Sequence, residues 1–235
     1  MIQNENKNIQ APATSSLILE ERHDSELFRV YAAILDGITD HILLPGKKLT
    51  ESDLCRQMVC SRNTVRSALS LLAHDKIVDL QPNRGAFVHV PDLQEIRDIL
   101  STRMAMEEMI IGLLSELPDL EQRMQPIYTI LDHEDTALAG GDQVGVNRIS
   151  NAFHVELARL VGNNVLTEIM NTLCARTSLV IAVLDNKPAR RAGTYNEHRE
   201  ILDLLVEGKR NRAGKMLRKH LNETLVRLEK KFETQ

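Results

Sequence analysis

Residues 45–90 read PGKKLTESDLCRQMVCSRNTVRSALSLLAHDKIVDLQPNRGAFVHV, and a change of period inside this stretch decides the fold. The first part is helical. A short helix fits ESDLCRQM, with Thr50 as N-cap and Asp53 three residues on, the spacing of a capping box. A second helix starts at Ser61, a good N-cap residue, and runs to about Asp75 with Val65, Ala68, Leu69, Leu71 and Leu72 on its apolar side. The turn between the two is Val59-Cys60. The period then becomes strand-like. Residues 77–81 (IVDLQ) and 86–90 (AFVHV) flank Pro82-Asn83-Arg84-Gly85, which is a β-hairpin signature.

Two short helices joined by a tight turn are the ingredients of a helix-turn-helix, and a hairpin after the second helix adds a wing. The second helix would present Arg62, Asn63, Thr64 and Arg66 near its N-terminus. From Arg56 to Arg66 there are three arginines and no acidic residue. Arginine can donate two hydrogen bonds to a guanine edge, and asparagine can pair in the same bidentate way with adenine. The helix N-terminus at Ser61 favours a phosphate. Arg84 at the wing tip can reach a phosphate or the minor groove, and Gly85 permits the close approach.

Upstream, Leu27, Val30, Ile34 and Ile38 recur at helical spacing, predicting a helix over 24–42 that ends at Pro45-Gly46. Residues 1–22 have no period and read as a flexible arm. Downstream of Pro91-Asp92 only helical patterns occur, over 92–116, 119–139, 142–161, 164–186, 194–207 and 210–232. Gly140-Gly141, Gly162-Asn163, Lys187-Pro188 and Gly208-Lys209 punctuate them. The expected division is therefore an arm (1–22), a winged helix-turn-helix (23–91) and an all-helical domain (92–235).

Composition narrows the class. The chain has 235 residues, 43% apolar and 26% charged, with no Trp and only three Tyr and four Phe. Aliphatic residues must fill the core, which leans helical. The net charge of −4 makes any nucleic-acid surface a local one. Three cysteines, Cys55, Cys60 and Cys174, are too few and too odd for a secreted disulfide framework and fit a reducing cytoplasm. The N-terminus lacks the apolar core of a signal peptide, and no apolar run reaches the roughly 18–20 residues of a membrane span. A phosphate-binding glycine loop, a nucleophile elbow and an HExxH motif are all missing, so nothing proposes catalysis.

With these residues in place, the stretch 45–90 resembles the winged helix-turn-helix of the GntR family of transcription regulators. The similarity is to its Pro-Gly start, its S-R-x-x-V-R-x-A-L-x-x-L helix and its R-G-x-x-V wing. Arg62, Arg66, Ala68, Leu69, Leu72, Arg84, Gly85 and Val88 sit where that pattern has them. Two positions depart: Asn63-Thr64 stands where threonine-proline is frequent, and Val59 where a small residue is usual. Both departures bear on which operator is read. The resemblance implies a homodimer on a short palindromic operator, contacting DNA through Arg56, Ser61, Arg62, Asn63, Thr64, Arg66, Arg84 and Gly85.

The helical half is similar to the FCD sensor domain of the FadR-type subgroup, which implies a bundle enclosing a pocket for a small carboxylate, often with a divalent metal on one aspartate and three histidines. His154, His198 and His220 each lie near the apolar side of a separate helix, the way bundles build metal sites. Imidazole suits zinc, nickel, copper or iron, with zinc or nickel the first expectation. The family's aspartate, one turn before His154, is Ser150 here, with Asn151 offering an amide oxygen. Two readings stay open: a three-histidine metal site completed by water or effector, or a metal-free pocket whose histidines touch the ligand.

Arg103 and Glu107 lie one turn apart on the stripe Ile96, Leu100, Ile110, Leu114. A charge buried without a partner costs several kcal/mol. The pair is then either a mutual salt bridge, a solvent-facing stripe, or an effector site in which Arg103 receives a carboxylate. Arg176 is a further candidate of this kind. The sequence thus reads as a cytoplasmic, DNA-binding repressor controlled by a carboxylate metabolite. A regulator that senses the metal itself is the alternative, with a helical metalloenzyme carrying a winged domain behind it.

Overall fold

The computed structural model describes residues 25–184 and 195–234. The expected N-terminal arm and the Lys187-Pro188 break lie outside them. The chain divides into two compact units, one ending at Val90 and the other starting at Pro91.

In the first unit, helix α1 (Glu26–Thr39) begins where the Ser25 hydroxyl accepts a hydrogen bond from the Phe28 amide. Val30, Ile34 and Ile38, at helical spacing, are fully buried. Each such side chain contributes roughly 1.5–3 kcal/mol. Tyr31 on the same helix donates to Asp75 at 2.8 Å. Burial first, and then Asp75, push the Tyr31 hydroxyl well above its ordinary range.

After the two-residue strand β1 (Lys48–Leu49) come α2 (Glu51–Met58) and α3 (Arg62–His74). The expected capping box is not formed. Thr50 makes no side-chain cap bond, and the Asp53 carboxylate takes Arg56 at 2.9 Å instead. Aspartate is one methylene shorter than the glutamate a capping box uses. At Ser61 the cap is present, its hydroxyl accepting from the Thr64 amide at 3.1 Å. Between the helices Val59 adopts φ 50° and ψ 57°, a left-handed conformation that crowds a β-branched side chain.

Strands β2 (Val78–Gln81) and β3 (Gly85–Val88) form the hairpin, and β1 pairs with the far side of β3, giving the order β1-β3-β2. The register places Lys48 opposite Phe87, and Gln81 opposite Gly85 at the turn. β1 is too short for any periodicity to announce it.

The second unit contains α4 (Leu93–Leu114), α5 (Leu120–Ala139), α6 (Gln143–Leu160), α7 (Asn164–Leu184), α8 (Tyr195–Val206) and α9 (Arg210–Glu233). Asp92 and Asp142 cap α4 and α6, accepting from the Glu95 and Gly145 amides. Helix α4 packs along α9 and against α6 and α7, while α8 lies between α5 and α9. At Gly112 on α4 the Arg210 guanidinium lies close enough that a Cβ would fall 2.6 Å from it, and the exposed arginine would have to move aside.

Helix α7 is long and apolar enough by length and composition to cross a membrane, although Thr167, Glu168, Asn171, Thr172 and Arg176 interrupt its apolar runs. In the bundle it is a core helix, with Met170, Cys174, Leu179, Val180 and Leu184 buried. Burial pushes the Cys174 thiol up to about 11.

Candidate functional site

Two groups of residues carry chemistry, one on the surface of the first unit and one inside the second. On the surface, the Ser61 cap lets α3 start with Arg62 and Asn63 exposed. Arg56 and Arg66 are about three-quarters exposed. Thr64 is engaged from two sides: its hydroxyl donates to Glu26 at 2.8 Å and lies 2.8 Å from the Ser61 hydroxyl. The Arg66 Nε lies 3.7 Å from Glu51.

Across an open groove of about 450 Å³ stands the wing, where Lys48, Arg84 and Gly85 face Arg66 and Glu51. The Arg84 guanidinium lies 5.5 Å and the Lys48 ammonium 6.0 Å from the centre of the Phe87 ring. Sequence reading missed Lys48, which only the third strand brings to the wing. Exposed ion pairs such as Arg56–Asp53 and Arg66–Glu51 contribute at most about 1 kcal/mol, so a phosphate can displace the carboxylate.

In the helical unit α6, α8 and α9 bring His154, His198 and His220 together, and all three rings are buried. One nitrogen from each lies within 4.8 Å of the others. His198 Nε2 and His220 Nε2 are 3.2 Å apart. Each ring has a glutamate behind it. His154 Nδ1 lies 2.6 Å from Glu107, His198 Nδ1 2.9 Å from Glu134, and His220 Nδ1 2.9 Å from Glu197. A carboxylate at Nδ1 draws the ring proton there and leaves Nε2 with its lone pair. Two such lone pairs 3.2 Å apart repel unless a proton or a cation lies between them. Tetrahedral zinc, with arms of 2.0–2.1 Å, would hold its nitrogens about 3.4 Å apart. The donor set therefore fits a divalent ion.

Arg103 donates to Glu107 from Nε at 2.9 Å, so the pair is the mutual salt bridge, with both residues buried. Burial alone would raise the Glu107 carboxyl, but His154 and then Arg103 hold it down at about 2. Burial, outweighing Glu107, lowers the His154 imidazole to about 3. The Glu134 carboxyl is raised by burial to about 8, with Asp135 adding to the effect and His220 and Arg199 opposing it. Glu197 is held below the usual carboxylate range, first by its hydrogen bond to His220.

The three histidines open on a cavity of about 30 Å³, walled also by Arg103, Asn147, Ser150, Asn151, Thr177 and Arg227. No acidic side chain is among its described lining residues. Asn151 donates to Ser178 at 2.6 Å. Arg176 stands apart from this wall and binds Glu95 at 2.6 Å. Glu134 and Glu197 were missed by the sequence reading. A signal for Glu134 existed: Met124, Ile127, Leu131 and Glu134 follow one buried stripe of α5. The carboxylate ends an apolar series in the same way that Glu107 interrupts the α4 stripe.

Known proteins divide along the same line. The family described as "Bacterial regulatory proteins, gntR family" matches residues 28–88, and the FCD domain matches residues 98–223. An HTH-type transcriptional regulator from an unstable DNA locus of Streptomyces ambofaciens is 29% identical over 204 residues, covering 82% of this chain and 80% of its own. The gluconate operon transcriptional repressor of Bacillus licheniformis is 23% identical over 208 residues, covering 87% and 84%. Among solved structures, a GntR transcriptional regulator from Rhodococcus sp. RHA1 aligns with a TM-score of 0.74 at 29% identity, over 86% of this chain and 96% of that one. E. coli McbR/YncC has the same fold, with a TM-score of 0.79 at 19% identity over 88% and 99%.

Proposed function

The chain belongs to the gntR family of bacterial regulatory proteins, with an FCD domain as its second unit, and from this premise we propose that it is a repressor whose operator affinity is set by a small carboxylate in the histidine-lined cavity. The family consists of DNA-binding transcription regulators, which sets the metalloenzyme reading aside. The operator is read by Arg62, Asn63 and Arg66, with Arg56, Ser61, Thr64, Arg84, Gly85 and Lys48 on phosphate and sugar. The protein acts in the cytoplasm as a homodimer on a palindromic site, the symmetry that a two-fold dimer imposes on its DNA.

The observation that carries the sensor reading is the convergence of His154, His198 and His220 on one cavity, each backed by a glutamate. These three imidazoles would hold zinc or nickel. When bound, the ion supplies a positive point that attracts a carboxylate. Arg103 lies in the wall of the same cavity and adds a second cation to orient that carboxylate. Ser150 and Asn151 are neutral, so they leave the anionic position to the ligand. The rival in which the ion itself is the signal rests on the same histidines and differs in its response to chelator at fixed effector.

Selection from random duplex DNA tests the first half. Enrichment of a palindrome, with affinity falling steeply as salt rises, is expected. Absence of any salt-dependent DNA binding would mean that the winged unit serves protein contacts. Metal content of protein purified without chelators, beside His154→Ala, tests the second. About one equivalent per chain, lost in the variant, is expected. No metal in either would turn the histidines into direct ligand contacts.

A further inference from the structure

Arg103, Glu107, Glu134 and Glu197 are all the Asp, Glu, Lys and Arg side chains that are buried among the described residues of the helical unit. All four are at the histidine cluster. With all three ionised beside a bound cation, the carboxylates and the one guanidinium would leave two negative charges around three neutral imidazoles, which is the complement of a divalent ion. The position one turn before His154, Ser150, lies in the same cavity wall as the three rings and carries no charge. An uncompensated charge in a dry interior is expensive, and carboxylates behind ligating histidines raise ligand basicity as well as fixing the rings.

Resting on the metal-site reading above, we propose that the negative charge holding the ion is supplied from outside its ligand set, by Glu107, Glu134 and Glu197 through the histidine rings, in place of an inner carboxylate. Glu134 is the informative member. Its carboxylate reaches His198 Nδ1 with both oxygens, at 2.9 and 3.2 Å, from a helix that contributes no ligand of its own. Glu107 is tied also to Arg103, and Glu197 to Lys219. Glu134 is thus a positioning and charge-compensating residue that acts through His198.

The test measures zinc affinity of the full chain by competition against a chromophoric chelator, with no effector present. Glu134→Gln keeps the shape and the acceptor for His198 but removes the charge. It should weaken zinc binding roughly 10–100-fold. Ser150→Asp should tighten it by a similar factor, and in the Glu134→Gln background it should restore most of the lost affinity. Rescue at a different position on a different helix is something that a merely structural role of Glu134 would not give.

Unchanged affinity in Glu134→Gln overturns the proposal, and so does a loss that Ser150→Asp fails to recover. If wild-type protein itself binds no zinc or nickel, the metal-site reading falls and this proposal falls with it, a result distinct from the first two. Should Glu134→Gln not fold, Glu197→Gln with and without Ser150→Asp puts the same question to His220.

Discussion

The two units handle charge in opposite ways. In the winged unit the candidate DNA-contacting cations stay in water and are held loosely: Arg56 by Asp53, Arg66 by Glu51. In the helical unit the candidate groups are buried and each of the three clustered histidines has a carboxylate within 2.9 Å. The first arrangement suits a surface that must exchange partners, because little is lost when a phosphate replaces a surface carboxylate. The second suits a site that must keep its geometry, because removing one member strands another charge without solvent. Substitution should therefore cost binding in one unit and stability in the other.

The largest expected effect is Arg103→Met. It leaves Glu107 buried with His154 alone and should destabilise the helical unit by roughly 3–5 kcal/mol. Denaturant unfolding of the full chain, followed by far-UV circular dichroism, checks this. A change under 1 kcal/mol would show that the buried charges are not coupled as described.

Acid should sharpen the contrast next. The Glu107 carboxyl is depressed to about 2 in the folded state, so its stabilisation is complete above its ordinary value near 4.5 and disappears as pH falls toward 2. This amounts to about 3 kcal/mol. His154, depressed to about 3, acts with the same sign from its ordinary 6.5 downward, because the unfolded chain gains a proton that the folded ring refuses. His198, also lowered by burial, acts in the same direction, whereas the raised Glu134 carboxyl opposes both between about pH 8 and its ordinary 4.5, so the helical unit should lose stability below pH 6.5 and more steeply below 4.5, measured by thermal unfolding across pH. In the winged unit the raised Tyr31 hydroxyl favours the neutral form, so its contribution holds below pH 10 and is lost as pH rises beyond that.

Arg66→Ala comes third. It should weaken operator binding by roughly 1–3 kcal/mol and relax selectivity at one base pair, with the unfolding midpoint unchanged. Intact affinity and selectivity would show that α3 does not read the operator. The smallest effect is Val59→Gly. Val59 is 84% exposed and left-handed, so glycine removes the crowding and gives up no packing. A gain of about 0.5–1 kcal/mol in stability is expected, net of glycine's extra freedom in the unfolded chain.

The same contrast explains what could be read from the chain alone. The winged unit is local: the Ser61 cap, the apolar face of α3 and the turn before Gly85 all announce themselves within a few residues. Its misses were the two-residue strand β1, and with it Lys48, and the reach of Glu26 across 38 positions to Thr64. In the bundle, helices and breaks were legible from period and glycine. The three histidines stood out because each marks an apolar face. Their glutamate partners did not, since Glu107 is 47 positions from His154 and Glu134 is 64 from His198. Such distances depend on how α4, α5, α6 and α8 stack, which no spacing rule encodes. Arg176 shows the reverse error: an arginine on a core helix that is committed to Glu95, outside the cavity wall.

The cavity beside the histidines, at about 30 Å³, is small beside the roughly 300–1,000 Å³ of an ordinary ligand pocket. On the reading proposed above, a carboxylate metabolite would reach Arg103 and the histidines only as the surrounding helices make room for it. Its arrival is timed by that opening, an event on the scale of microseconds to seconds. The observed rate of uptake should climb with ligand concentration and then level off at the opening rate. If the cavity is the effector site proposed above, the bundle would set how long a metabolite must persist before the regulator registers it.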